Sequence, residues 1–167
     1  WLSARARAGK GRPPALHGQD PQSEFYWGDI CRARIRYVRN EKNLKLPGTL
    51  NRGFALARGR FLTWTSDDNL YAPEAVERMV AALEAGGCDL VFADYYDFAR
   101  HDEKTGAPLE PRPIQLPGVP RLEERNSVGA CFLYTRGVYE RIGDYDTELF
   151  LVEDYDYFIR IQKAGFS

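Results

Sequence analysis

The stretch Arg60-Phe-Leu-Thr-Trp-Thr-Ser-Asp-Asp-Asn69, continued by Leu70-Tyr-Ala-Pro73, decides how the chain is read. An apolar run rich in Thr and aromatics that stops at two carboxylates and an amide, just before a helix start, predicts a buried strand delivering acids to the edge of a site. Asp67 and Asp68 then have two readings. In an open α/β sheet ligands bind outside the carboxyl ends of strands, and Mg²⁺ typically takes only one or two protein carboxylates beside phosphate oxygens and water. Alternatively the acids belong to a turn that caps the helix at Pro73, a position Asp and Asn favour.

Outward from that stretch the chain alternates. A short strand is expected at Ile35–Arg39 and a helix from Thr49 to Ala57, with Thr49 as its cap, Leu50, Phe54 and Ala57 on one face, and Gly59 as its stop. After the strand Phe61–Thr65, Pro73 opens a helix in which Ala75, Val76, Met79, Val80 and Leu83 recur at helical spacing until Gly86-Gly87. Asp89–Ala93 reads as a second buried strand. Strand, helix, strand, helix, strand is the order of a parallel sheet with crossover helices. Residues 100–122, with Pro108, Pro111, Pro113 and Pro117, read as a long loop. Val128–Tyr134 is a strand with a glycine at its mouth. Val138–Ile142 and Glu153–Ala164 are helices closed by Gly143 and Gly165, Phe158 and Ile161 sharing one face of the latter.

The 167 residues suit one domain. Residues 1–34 form an imperfect segment, rich in Arg, Ala, Gly and Pro, that begins with Trp1 and reads as a fragment edge; residues 35–167 carry the domain. A net charge of −1 favours no nucleic-acid partner, and the basic cluster Arg5, Arg7, Lys10 and Arg12 reads as a solvated tail. No apolar run reaches the roughly 20 residues of a membrane span and no signal segment opens the chain, so a cytoplasmic location, including a peripheral one at the membrane, is expected. Cys31, Cys88 and Cys131 are too scattered for a disulfide framework or a zinc site, and His17 and His101 lack partners at ligand spacing.

A second acidic cluster, Glu153-Asp154-Tyr-Asp156, follows the apolar Leu149-Phe-Leu-Val152 and begins a helix. Carboxylates there complement the helix dipole; the same placement suits a general base held rigidly at a site edge. Gly129 either lets backbone approach a ligand closely or merely starts a strand. Trp64, Tyr95 and Tyr96 are core or cleft-lining aromatics.

Taken in order, Asn51-Arg-Gly53, Ala57-Arg-Gly59, Ser66-Asp-Asp-Asn69, Gly129-Ala-Cys-Phe-Leu-Tyr134, Gly143-Asp-Tyr-Asp146 and Glu153-Asp-Tyr-Asp-Tyr-Phe-Ile-Arg160 resemble a family 2 glycosyltransferase across about residues 35–165. The resemblance implies a GT-A fold: a three-layer α/β domain with a mostly parallel sheet. It implies an enzyme of hexosyltransferase type that moves a sugar with inversion from a nucleotide-diphosphate donor to a hydroxyl of a saccharide, lipid-linked or protein acceptor, as in cell-envelope polysaccharide synthesis. Matched position by position, Asp67 and Asp68 stand where the family's DxD-like acids hold the nucleotide and Mg²⁺ or Mn²⁺. Asp154 stands at the catalytic base with Glu153 beside it, Gly129-Ala130 at a segment lining the donor-sugar and acceptor site, and Asn51 in a donor-binding motif. The family's first strand, helix and second strand have no counterpart before Ile35, Asp29 lacking a preceding strand, so an incomplete donor site is expected. The alternatives are a non-catalytic nucleotide-sugar or carbohydrate-binding module and, from the paired acids, a nucleotidyltransferase.

Overall fold

The computed structural model describes residues 36–102 and 104–167. Residues 1–34, with Cys31, Asp29 and His17, lie outside the described part, as does Ile35 of the first expected strand; residues 36–39 form no strand. The elements run α1 (Lys45–Leu56), β1 (Phe61–Leu62), α2 (Ala75–Glu84), β2 (Leu90–Phe92), β3 (Tyr95–Asp97), β4 (Arg100–His101), β5 (Pro108–Leu109), β6 (Arg112–Ile114), β7 (Phe132–Thr135), α3 (Arg136–Ile142) and α4 (Glu153–Lys163).

The main sheet has the order β1-β7-β2. β7 pairs antiparallel with both neighbours, Leu62 opposite Tyr134 on one side and Val91 opposite Leu133 on the other. This corrects the parallel sheet expected from the strand and helix order, since every described ladder is antiparallel. The crossover expectation holds only for β1 and β2, which run the same way but are separated by the late strand inserted between them. A sequence order of β-α-β says that two strands share a direction; it does not say that they are neighbours.

β7 shows why three layers form. Successive side chains of a strand point to opposite faces. Phe132 and Tyr134 enter a cluster with Phe54 of α1, Val138 of α3, and Tyr157, Phe158 and Ile161 of α4. Cys131 and Leu133 point the other way, onto Met79 and Leu83 of α2. Phe132, Leu133 and Tyr134 are all buried, so β7 is the central wall of the domain. Aromatic pairs tighten the larger cluster: Phe132 meets Phe158 edge to face at 5.1 Å and Tyr145 stacks on Tyr157 at 4.1 Å between centroids.

Arginines join the helices. Arg136 donates from Nε to the Gly59 carbonyl (2.7 Å) and from Nη2 to that of Ala57 (2.9 Å), satisfying backbone beyond the end of α1. Arg160 reaches from α4 to the carbonyls of Ile142 and Asp144 while bonding Asp156 one turn back at 2.7 Å. Carbonyls at a helix end have no intrahelical partner, and these guanidinium groups supply one.

Two local expectations change. Thr49 does not cap α1: its hydroxyl donates to the Lys45 carbonyl inside the helix, while Asn43 Oδ1 accepts from the Lys45 amide at the entry. Val76 is exposed, so the buried stripe of α2 is Met79 and Leu83. The segment read as a loop at 100–122 contains β4, β5 and β6. Tyr95 pairs with Ile114 and Arg100 with Leu109, so one antiparallel excursion runs from β3 to β6. Its tip is set by Asp102, whose Oδ1 accepts from the Thr105 amide and hydroxyl and from the Lys104 amide; these bonds hold its carboxyl below the usual carboxylate range. Prolines hid the ladder, because Pro108 and Pro113 stand within two-stranded edge ribbons that tolerate a missing N–H.

Candidate active site

Because β7 runs against β1 and β2, its beginning lies at the carboxyl ends of the other two. Three segments therefore converge at one sheet edge. Asp68, Asn69 and Leu70 follow β1, Tyr95 to Phe98 follow β2, and Ala130-Cys131 precede β7; together they line a pocket of about 300 Å³.

β1 ends at Leu62, and the chain runs on without regular structure to a turn at Asp67-Asp68. Both acids are exposed. Ser66 fixes the turn: its hydroxyl donates to Asp68 Oδ1 and accepts from Asn69 Nδ2 at 2.7 Å, while the Asn69 amide bonds the Ser66 carbonyl at 3.3 Å. The turn is thus held by its own polar groups and presents its carboxylates outward. It provides no cap to α2: the capping position is Glu74, just before the helix, and it makes no side-chain capping bond.

Gly129 lies at φ +74°, where a side chain is strained, and a β-carbon there would stand 3.1 Å from Leu116 Cδ1 and 3.3 Å from Tyr95 Cε1. The glycine therefore serves the close approach of the turn to the pocket-lining Tyr95. Gly129→Ala is expected to cost about 1–3 kcal/mol, read as a lower urea midpoint; an unchanged midpoint would mean that the turn relaxes freely.

Asp154 is half-buried in the first turn of α4. Its Oδ1 accepts from the Tyr155 amide at 2.7 Å and its Oδ2 from Asn126 Nδ2 at 3.0 Å. Asn126 stands four residues before Ala130, so the second acidic cluster is tied to the strand entry that lines the pocket. Glu153 is buried at 3% exposure, and its Oε2 has no hydrogen-bond partner among the described residues. It faces the interior beside Asp154 rather than solvent.

Asn51 bridges two segments of the fold. Its Oδ1 accepts from the Tyr145 amide at 2.7 Å and its Nδ2 donates to the Tyr145 carbonyl at 2.8 Å. These two bonds clamp α1 to the segment before α4. Trp64 packs against the larger core cluster, whereas Tyr96 is 51% exposed and lines the pocket. Sequence reasoning overlooked Asn126, Asp97 and Phe98; only the last two follow a recognised strand, and nothing local to Asn126 announces it.

Burial raises the phenols of Tyr134 and Tyr145 far above their ordinary range and pushes that of Tyr157 up to about 12. These hydroxyls stay protonated near neutral pH and supply no base. Among the described residues, no group of three or more His, Cys, Asp or Glu side chains could by itself hold a metal ion, and no helix is long and apolar enough to cross a membrane.

The family profile described as Glycosyl transferase family 2 matches residues 29–143, more than half of the chain. The chain belongs to glycosyltransferase family 2. It is also 23% identical over 130 residues to an uncharacterized glycosyltransferase of Methanocaldococcus jannaschii, an alignment covering 76% of this chain and 44% of that protein. The chain thus spans less than half the length of that relative. The mixed α/β domain described above is in keeping with that membership. The profile takes in the Asp67-Asp68 turn and the Gly129-Ala130 entry, and ends before Glu153 and Asp154.

Proposed function

We propose that this glycosyltransferase transfers a sugar with inversion from a nucleotide-diphosphate donor to an acceptor hydroxyl, assisted by Mg²⁺ or Mn²⁺. The observation that carries the reading is the convergence just described: Asp68 and Ala130 line one pocket, and Asp154 is held to the same strand entry through Asn126.

The donor set fits a divalent ion that arrives with the diphosphate. Asp67 and Asp68 offer exposed carboxylates on a rigid turn, and Mg²⁺ needs only one or two of these when phosphate oxygens complete its shell. Asp68 keeps Oδ2 for such a contact, since Oδ1 is engaged by Ser66. A bound ion would neutralise charge on the departing nucleoside diphosphate. Asp154, each oxygen holding one N–H, retains lone pairs to accept the acceptor's proton. Tyr96 presents an exposed ring beside Asp68 and Asp97, a surface on which a sugar face can stack.

Calorimetric titration of UDP, GDP and dTDP with and without Mn²⁺ tests the donor half. Metal-dependent binding of one nucleotide, lost in Asp68→Ala, is expected. Binding indifferent to both metal and Asp68→Ala would overturn the assignment of this turn. The favoured activity differs from that of a binding module in requiring turnover, the subject of the Asp154 variant below.

A further inference from the structure

We infer that Asn126 is a positioning residue for the proposed base Asp154; the inference rests on that reading of Asp154. The amide is held at both ends. Nδ2 donates to Asp154 Oδ2 at 3.0 Å, and Oδ1 accepts from the Val128 amide at 3.3 Å. Reversing the amide would set an oxygen against the carboxylate and an N–H against the Val128 N–H, two repulsive contacts, so the surroundings dictate which end faces Asp154.

The segment that carries Asn126 is itself anchored. Ser127 and Val128 are buried, Ser127 Oγ accepts from the Arg121 amide at 2.9 Å, and the Tyr155 hydroxyl donates to the Leu122 carbonyl, tying the segment to α4 a second time. Asp154 heads α4, while Gly129-Ala130 enter the pocket from β7. Asn126 is the direct side-chain bridge between them. Without it, Asp154 Oδ2 would lose the donor that fixes the carboxylate plane, and a base must be held in one geometry to work. The interaction is charge-assisted, the stronger class of hydrogen bond.

Two variants separate positioning from simple support of Val128. Asn126→Ala removes both bonds. Asn126→Asp keeps an acceptor for the Val128 amide but replaces the donor with a carboxylate facing Asp154. Release of nucleoside diphosphate from a panel of UDP-, GDP- and dTDP-linked hexoses supplies the kinetics. Positioning predicts that Asn126→Asp lowers kcat by about tenfold or more, the equivalent of one charge-assisted hydrogen bond, with donor KM within about twofold. A wild-type kcat in Asn126→Asp beside an inactive Asp154→Asn overturns the inference alone. Full turnover in Asp154→Asn overturns the base reading and the inference with it. An arm free of substrate uses side-chain amide NMR of the whole chain: the Asn126 Nδ2 proton resonance is expected to move to a solvated position in Asp154→Ala, and an unmoved resonance overturns the contact.

Discussion

Asp154→Asn is expected to lower turnover by about 10²–10⁴-fold while leaving donor binding in place. The exchange is nearly isosteric, so α4 and its packing of Tyr157, Phe158 and Ile161 should survive. What changes is proton affinity and hydrogen-bond polarity. The carboxylate accepts at both oxygens, from the Tyr155 amide and from Asn126 Nδ2, and an amide has only one acceptor for those two donors. The variant therefore lacks the proposed base and sets an N–H against an N–H. In the proposed site the donor is held by the Asp67-Asp68 turn, a separate segment fixed by Ser66 and Asn69. Retained turnover within about tenfold of wild type would exceed what loss of a general base permits and would remove Asp154 from that role. Loss of metal-dependent nucleotide binding in the same variant would instead mean that the two acidic clusters are not independent.

Phe132→Ala is expected to destabilise the fold by about 3–5 kcal/mol, the usual range for an aromatic removed from a packed core. Phe132 is 1% exposed and stands where β7 meets three other rings: Trp64 at 6.1 Å, Tyr134 at 6.0 Å and Phe158 at 5.1 Å between centroids. Its backbone also pairs with Phe92 at the end of β2 nearest the pocket. Loss of the ring leaves a cavity between the sheet and α4, so the pocket entry and the α4 start should loosen together. Since domains of this size are typically stable by about 5–15 kcal/mol, chemical denaturation should show a large fall in midpoint. A loss below about 1 kcal/mol would mean that the cluster repacks and that β7 is not the wall described here.

Much of the architecture was legible in local pattern. Helical spacing located α2 through Met79 and Leu83, and Phe158 and Ile161 located the buried face of α4. Gly143 and Gly165, both at positive φ, ended their helices as expected. The excursion from β3 to β6 was not legible, because its ribbons are short and carry prolines and charges in place of an alternating apolar pattern. Among the candidate site residues, the Asp67-Asp68 turn and Gly129-Ala130 were visible as acids after a strand and a glycine before one. Asn51 was visible as a motif, whereas its two bonds to Tyr145 were not.

The sequence by itself determined the family resemblance, the two acidic clusters and the kinds of element that carry them, because residue type, spacing and turn chemistry act over a few neighbours. Tertiary structure alone decided that β7 lies between β1 and β2, that Asp68 and Ala130 share a pocket, and that Asn126 holds Asp154 across 28 residues of chain. Strand neighbours and side-chain bridges of that range depend on how opposite faces of the sheet are buried at once, a balance over the whole core that no local window of sequence contains.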